Sequence, residues 1–229
     1  AFSPVYGLAE ATLAVTFSPL GGGLRTFSYH RETLATSGQV QIGDTESASL
    51  GTPLEGVEVE IRKDGKKVAE DLLGDVWIKS ESLLSGYLMD GELTLPLVDG
   101  WLENGDAGFL HEQQLYLFGR RRDILLLDGR NHDPVLVEEA AEAMPELRRC
   151  CAFCVETEAD EKDRLVVLCE VAKGFSGQLD ALRSSIRTHI RQSSGLLPHT
   201  VELVVAGELP VTSSGKLKRG AAASMYQRS

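Results

Sequence analysis

The chain has 229 residues, 42% hydrophobic and 25% charged, the balance of an ordinary globular protein long enough to bury one large core or two small ones. Its formal net charge of -11 argues against a nucleic-acid ligand, whose phosphates need basic stripes. The longest apolar runs, such as Ile124–Leu127, fall far short of the roughly 20 residues that cross a bilayer, so no membrane span is expected.

The sequence opens AFSPVYGLAEATL, with neither an initiating Met nor a signal peptide. It reads as the interior of a domain, and a longer parent protein is expected. Within it, Tyr6-Gly7-Leu8-Ala9-Glu10 sets a ring and a glycine ahead of a carboxylate. That is either a turn feeding a helix, or a place where backbone approaches a ligand and Glu10 holds a hydrated Mg²⁺. Residues up to 50 are mixed in character, with Gly21-Gly22-Gly23 between an apolar and a polar stretch. From Gly51 to Gly119 the text turns to strands and turns. Val57–Val68 alternates apolar and polar residues around Asp64-Gly65, a hairpin signal. Asp75–Ser80 and Gln114–Gly119 are further strands. Between them, Trp101–Gly108 places Asp106 in a Gly-flanked turn, where it either closes an Asx-turn or accepts both hydroxyl hydrogens of a ribose. A small twisted sheet or barrel is expected for this half.

Gly119-Arg120-Arg121-Arg122-Asp123 marks a boundary. It is either a solvated linker with a structural ion pair, or a set of guanidinium forks for phosphate or ribose oxygens. An apolar strand and the turn Asp128-Gly129 follow. Pro134–Arg149 reads as a helix with Pro134 in its first turn and a stop near Pro145. Cys150–Glu156 and Arg164–Ala172 read as strands, and His199–Gly207 as another. Gly177–Ser194 reads as a helix, with Leu179, Leu182, Ile186 and Ile190 at helical spacing. This mixture predicts a compact α+β domain. Cys151 and Cys154 have the spacing of a redox or zinc half-site, but neither a second pair nor a neighbouring histidine completes it. A structural role is expected, with reduced thiols in a cytosolic compartment. Finally, Pro210–Gly220 (PVTSSGKLKRG) holds Lys216. It is either a solvated surface lysine or a mobile point charge that the Ser213-Ser214-Gly215 turn carries toward a phosphate.

Taken in order, YGLAE, GWLENGD, GRRRD…DGRN and PVTSSGKLKRG resemble the adenylate-forming superfamily of acyl- and aryl-CoA ligases, nonribosomal adenylation domains and luciferases. More narrowly, YGLAEATL, GRNHDP and SGKLKRGA…Y are similar to fatty acyl-AMP ligases. The resemblance covers nearly the whole chain and is weakest over residues 18–50, where such ligases carry an insertion. It implies a mixed α/β fold in three parts. Residues 1–119 would be a β-rich, barrel-like remnant of the large ATP- and acyl-binding domain, 120–123 a hinge, and 124–229 a small, mobile α+β C-terminal domain.

The resemblance also implies roles. Tyr6 would lie against adenine, with Gly7 in the same nucleotide motif, and Glu10 would take Mg²⁺. Asp106 would bind the ribose hydroxyls, joined by Arg120. Arg122 falls at the hinge position, where the family usually has Asp or Lys. Lys216 would contact the carboxylate and the α-phosphate. The family's Arg-Thr-Gly-Asp stands here as Glu103-Asn104-Gly105-Asp106, which keeps the aspartate and alters its flank.

In the implied reaction a fatty carboxylate attacks the α-phosphorus of ATP, giving acyl-AMP and pyrophosphate. The phosphopantetheine thiol of an acyl-carrier protein, or CoA, then takes the acyl group. The small domain turns between the two steps. The resemblance would place the protein in cytoplasmic fatty acid metabolism or in polyketide or lipopeptide biosynthesis. An acyl-CoA ligase or a nonribosomal adenylation domain is the near alternative. A non-catalytic interaction module of the same fold is the distant one. The family's Ser/Thr/Gly-rich phosphate loop and most of its acyl pocket lie upstream of the matched motifs, so the chain alone is expected not to activate a fatty acid.

Overall fold

The computed structural model describes residues 3–89, 91–94, 96–155, 163–213 and 215–228. They form two compact units, Ala1–Arg122 and Asp123–Ser229. As the pattern predicts, the fold is mixed α/β, strand-rich in the first unit and α+β in the second.

The first unit is built on an antiparallel sheet. Its strands run in the order Leu97–Val98, Trp101–His111, Gly74–Ser80, Val57–Lys63 and Lys66–Lys67, with Gln114–Arg120 also paired to Trp101–His111. The Val57–Lys67 hairpin turns through Asp64 and Gly65, whose φ values of 51° and 74° are the positive pair that matches strand twist. Ile61, Val76, Ile78 and Leu115 point to a core that also takes in Tyr6, Ala11 and Val15. On the sheet, the Arg62 guanidinium lies 4.6 Å from the Trp77 ring centre and 4.4 Å from that of Trp101, so both tryptophans share one cation–π stack.

Residues 18–50 contribute the strands Thr26–Tyr29 and Thr45–Ala48 and the helix Arg31–Ser37. Fully buried Tyr29 meets fully buried Phe109 edge to face at 5.2 Å, which seats this segment on the long strand.

One expectation needs correction here. Asp106 does not sit in a turn but inside the strand Trp101–His111. Cross-strand partners hold residues on either side, Glu103 opposite Trp77 and Ala107 opposite Asp75. The register slips between them, where Gly105 takes φ 79°. The glycine makes a bulge rather than a reversal, because paired segments continue past it on both sides.

The second unit has a three-stranded sheet, Leu147–Val155 antiparallel to Arg164–Val171, which is parallel to Thr200–Val204. Strand alternation sends Cys150, Ala152, Leu165, Val167 and Cys169 to one face and Cys151, Phe153, Val166 and Leu168 to the other. The helices Pro134–Glu142 and Leu179–Ser194 cover the first face and Arg219–Tyr226 the second. A sheet covered on both faces reads as a continuous apolar run, which is why CCAFCV shows no polar alternation. Glu156, the last residue assigned to that strand from sequence, lies outside the described residues. All four thiols are free. Burial pushes the Cys151 thiol up to about 12 and the Cys154 thiol up to about 11, out of the range of a reactive thiolate.

Helix ends follow their signals with two differences. Asp133 caps Pro134–Glu142, its Oδ1 accepting the Val135 amide at 3.0 Å, with Pro134 in the first turn. The helix stops at Glu142, ahead of Pro145, and the Leu147-Arg148-Arg149 part of the predicted helix joins the sheet instead. In Leu179–Ser194, Leu182, Ile186 and Ile190 are buried as expected, but Leu179, the first helical residue, is 49% exposed.

Candidate functional site

In the first unit three residues converge on the carboxylate of Asp106. The Tyr6 hydroxyl donates to Oδ2 at 2.7 Å, although 100 positions separate the two residues. Asn104 Nδ2 donates to the same oxygen at 2.8 Å and also to the Tyr6 hydroxyl. Arg120 Nε reaches Oδ1 at 2.8 Å. Each contact has a local cause. Asp106 and Arg120 are direct cross-strand partners. The bulge brings Asn104 back over Asp106, whose amide donates to Asn104 Oδ1 at 3.0 Å. The strand Val5–Tyr6 delivers the phenol.

Asp106 is 8% and Tyr6 5% exposed, whereas the Arg120 side chain is half exposed, so the cluster has one buried side and one open edge. A carboxylate offers about four acceptor directions. Tyr6, Asn104 and Arg120 occupy three of them. Burial pushes the Tyr6 phenol far above its usual range, and the Asp106 charge and hydrogen bond add to the shift, so it remains a donor throughout the neutral range. Asn104 is the residue that sequence reasoning passed over. It appeared only as an altered flank, although an Asn two places before an Asp is itself an Asx-turn signal.

Gly7 and Glu10 lie nearby in sequence but not in this cluster. A Cβ on Gly7 would stand 1.7 Å from the carbonyl oxygen of Leu13, so the close approach that demands glycine is to the chain itself. Glu10 sits in the short 3-10 turn Ala9–Ala11, half-buried, and its Oε1 accepts the Tyr87 hydroxyl at 2.9 Å. Among the described residues no cluster of three or more His, Cys, Asp or Glu gathers to hold a metal ion. A single carboxylate still fits Mg²⁺, which commonly takes one or two carboxylates, waters and substrate phosphate oxygens.

At the boundary, Arg121–Asp123 forms a 3-10 turn that places Arg122 last in the first unit and Asp123 first in the second. Arg121 Nη1 lies 3.4 Å from Asp75 Oδ1, a buried oxygen that has no hydrogen-bond partner among the described residues. Burial raises the Asp75 carboxyl above its usual range, partly offset by Arg121. A carboxyl raised in the folded state binds more protons there than in the unfolded chain. Its protonated form therefore favours folding below the unfolded value of about 3.9, and that contribution is lost as pH rises through the folded value. Asp75→Asn is expected to stabilise the first unit at pH 7, with the gain shrinking as pH falls toward about 4. Chemical denaturation at a series of pH values measures this. A variant less stable than wild type at pH 7 would contradict it.

In the second unit Lys216 rides on a closed hairpin. Val211 bridges Leu217, the Thr212 amide donates to Lys216 O at 2.8 Å, and the Lys218 amide to Pro210 O at 2.9 Å. Gly215, at φ 84°, makes the reversal, and the Lys216 amide donates to Thr212 Oγ1 at 3.0 Å. Lys216 is exposed. Ser214 of the predicted turn lies outside the described residues.

No protein-family model matches the chain. It is 36% identical over 240 residues to a putative acyl-CoA synthetase of Caulobacter vibrioides, which covers 99% of the chain and 41% of that protein. It is 31% identical over 242 residues to JamA of Moorena producens, a medium-chain-fatty-acid–[acyl-carrier-protein] ligase, covering 96% of the chain and 41% of JamA. A solved structure from work on fatty acyl-adenylate ligases of E. coli and L. pneumophila superposes with a TM-score of 0.84 at 30% identity, over 99% of this chain and 42% of that one. The chain thus spans about two fifths of the length of the curated relatives it matches. Among the described residues no helix is long and apolar enough to cross a membrane.

Proposed function

We propose, from the premise that the chain belongs to the adenylate-forming superfamily of acyl-CoA ligases, fatty acyl-AMP ligases and nonribosomal adenylation domains, that it forms part of a ligase activating a fatty acid with ATP. The observation that carries this reading is the convergence of Tyr6, Asn104 and Arg120 on Asp106. A carboxylate fixed on one side and open on the other suits an uncharged diol such as a ribose edge. Arg120, half exposed beside it, supplies a donor for the same sugar.

In the reaction the fatty carboxylate attacks the α-phosphorus, the bond to the bridging oxygen breaks, and pyrophosphate leaves with that electron pair. Both reactants are anionic, so the protein's task is alignment and charge compensation. Asp106 and Arg120 would fix the nucleoside end, with the Tyr6 and Asn104 donors holding the carboxylate in one rotamer. Lys216, a compact cation on an exposed hairpin, would meet the developing charge at the α-phosphate. Glu10 is the residue that would hold Mg²⁺, whose charge offsets that of the departing pyrophosphate. Residues 120–123 would be the hinge about which the second unit turns, with Arg122 absorbing the backbone change.

The acceptor is proposed to be the phosphopantetheine thiol of an acyl-carrier protein, the acceptor class named for JamA. CoA is the second reading, favoured by the Caulobacter relative. The ligase containing this chain is expected to catalyse fatty-acid-dependent exchange of labelled pyrophosphate into ATP. It should then load holo-carrier protein in preference to CoA. Failure of every fatty acid to support exchange would remove the reading. Preferential loading of CoA would move it to the acyl-CoA ligases.

A further inference from the structure

The end of the second unit is tied to its beginning by one arginine. Arg219 opens the helix Arg219–Tyr226, three residues after Lys216, yet its side chain is only 16% exposed. Its Nε donates to Glu138 Oε1 at 2.9 Å and Nη2 to Glu138 Oε2 at 2.5 Å. Its Nη1 donates to Asp123 Oδ2 at 3.2 Å. Glu138, on the helix Pro134–Glu142, also accepts the Ala152 amide at 3.0 Å, so the pair is anchored in the sheet. One guanidinium fork thus binds two carboxylates on separate elements, a contact set that a lysine cannot reproduce.

The other end of the same stretch is pinned in a similar way. Glu170 is 1% exposed, and its Oε1 accepts the amides of Gly207 at 2.9 Å and Leu209 at 3.1 Å. The Lys216 hairpin therefore enters through a buried carboxylate and leaves through a partly buried guanidinium. Asp123, moreover, is the residue directly after Arg122.

We propose that Arg219 is a positioning residue: by bridging Asp123 and Glu138 it joins the first residue of the second unit and the Lys216 hairpin into one rigid piece, so that a turn at residues 120–123 carries Lys216 with it. The inference rests on the adenylating role proposed for Lys216. An ion cluster that only held the fold together would weaken both half-reactions alike. A positioning residue weakens the step that uses Lys216 and spares thiol transfer.

Arg219→Lys, Arg219→Ala and Asp123→Asn, made in the ligase that contains this chain, separate these cases. Pyrophosphate exchange gives kcat and KM for the first step, and supplied acyl-AMP isolates the second. The expected result is a fall of about tenfold or more in exchange kcat for all three variants, with KM for ATP within about twofold of wild type and, in the two Arg219 variants, thioester formation within the same range. In the 229-residue chain the amides of Thr212 and Lys218 should exchange hydrogen faster, while those of Leu179–Ser194 keep their protection. Should Arg219→Ala fail to fold, Asp123→Asn decides, because it leaves the Arg219–Glu138 pair in place. Equal losses in both half-reactions of the Arg219 variants, or wild-type exchange in Asp123→Asn and Arg219→Lys, would overturn the proposal. Lys216→Ala serves as the control. If it spares exchange, the functional reading falls and this inference with it. If it abolishes exchange while the other variants keep it, only the inference falls.

Discussion

Replacing Lys216 by alanine is expected to lower acyl-adenylate formation by about a hundredfold or more while leaving stability within about 0.5 kcal/mol of wild type. The two halves of that expectation have separate causes. The side chain is exposed and makes no ion pair with any described residue, so little stability should go with it. The hairpin itself is held by backbone bonds at Thr212 and Lys218, which the substitution leaves intact. The proposed reaction is different, because there a carboxylate and a triphosphate would repel each other and a fixed cation would be needed to meet the transition-state charge. Lys216→Arg is expected to recover only part of the rate, since a planar fork does not replace a compact ammonium. Lys218→Ala, two residues on and equally exposed, is expected to stay near wild type. Pyrophosphate exchange and a thermal melt measure both halves. A Lys216→Ala enzyme that exchanges at the wild-type rate would show that the hairpin is only a surface loop.

Gly7→Ala is the second large effect, and it falls on the fold. A methyl group 1.7 Å from the Leu13 carbonyl oxygen meets backbone, which cannot swing aside as a side-chain tip would. The strand Val5–Tyr6 or the segment around Leu13 must move, and the Val15 amide bond to Tyr6 O at 2.8 Å moves with it. A destabilisation on the order of 3 kcal/mol is expected for the first unit. For a unit of this size that corresponds to a fall of about 10 °C in Tm. Tryptophan fluorescence reads it selectively, because Trp77 and Trp101 both lie on the first unit's sheet around Arg62. A displaced Tyr6 also loosens Asp106, so nucleotide affinity should fall together with stability. A Gly7→Ala chain that melts within a degree of wild type would mean that the segment yields at almost no cost.

Much of the fold was legible because the relevant signals are local. Asp64-Gly65 between alternating residues announced a hairpin, and Pro134 announced the first turn of a helix. The Leu147–Arg149 stretch misled because its charged residues suit a helix surface, and only pairing with Arg164–Val171 decides for a strand. The Asp106 bulge misled for a related reason. Asn-Gly-Asp is turn chemistry in isolation, and two flanking ladders override it. Tyr6 and Asp106 were found as separate motifs, but their contact was not readable, since a contact across 100 positions leaves no local trace. Arg219 was hidden likewise. In a basic run beside two lysines it looks solvated, and only the packing of its helix on the sheet face turns it inward toward Glu138 and Asp123.

If, as proposed, this chain is part of a ligase that joins a fatty carboxylate to the α-phosphorus of ATP, with Asp106 holding the nucleoside end, one carboxylate oxygen must end in AMP. Tracing that oxygen decides the matter. The ligase is supplied with ATP, a thiol acceptor and a fatty acid labelled with heavy oxygen in its carboxylate, and the released AMP is examined by mass spectrometry, for wild type and for Asp106→Ala. One heavy oxygen is expected in each AMP from wild type, with a loss of most AMP formation in the variant. AMP without label, or label transferred at an undiminished rate without Asp106, would contradict it.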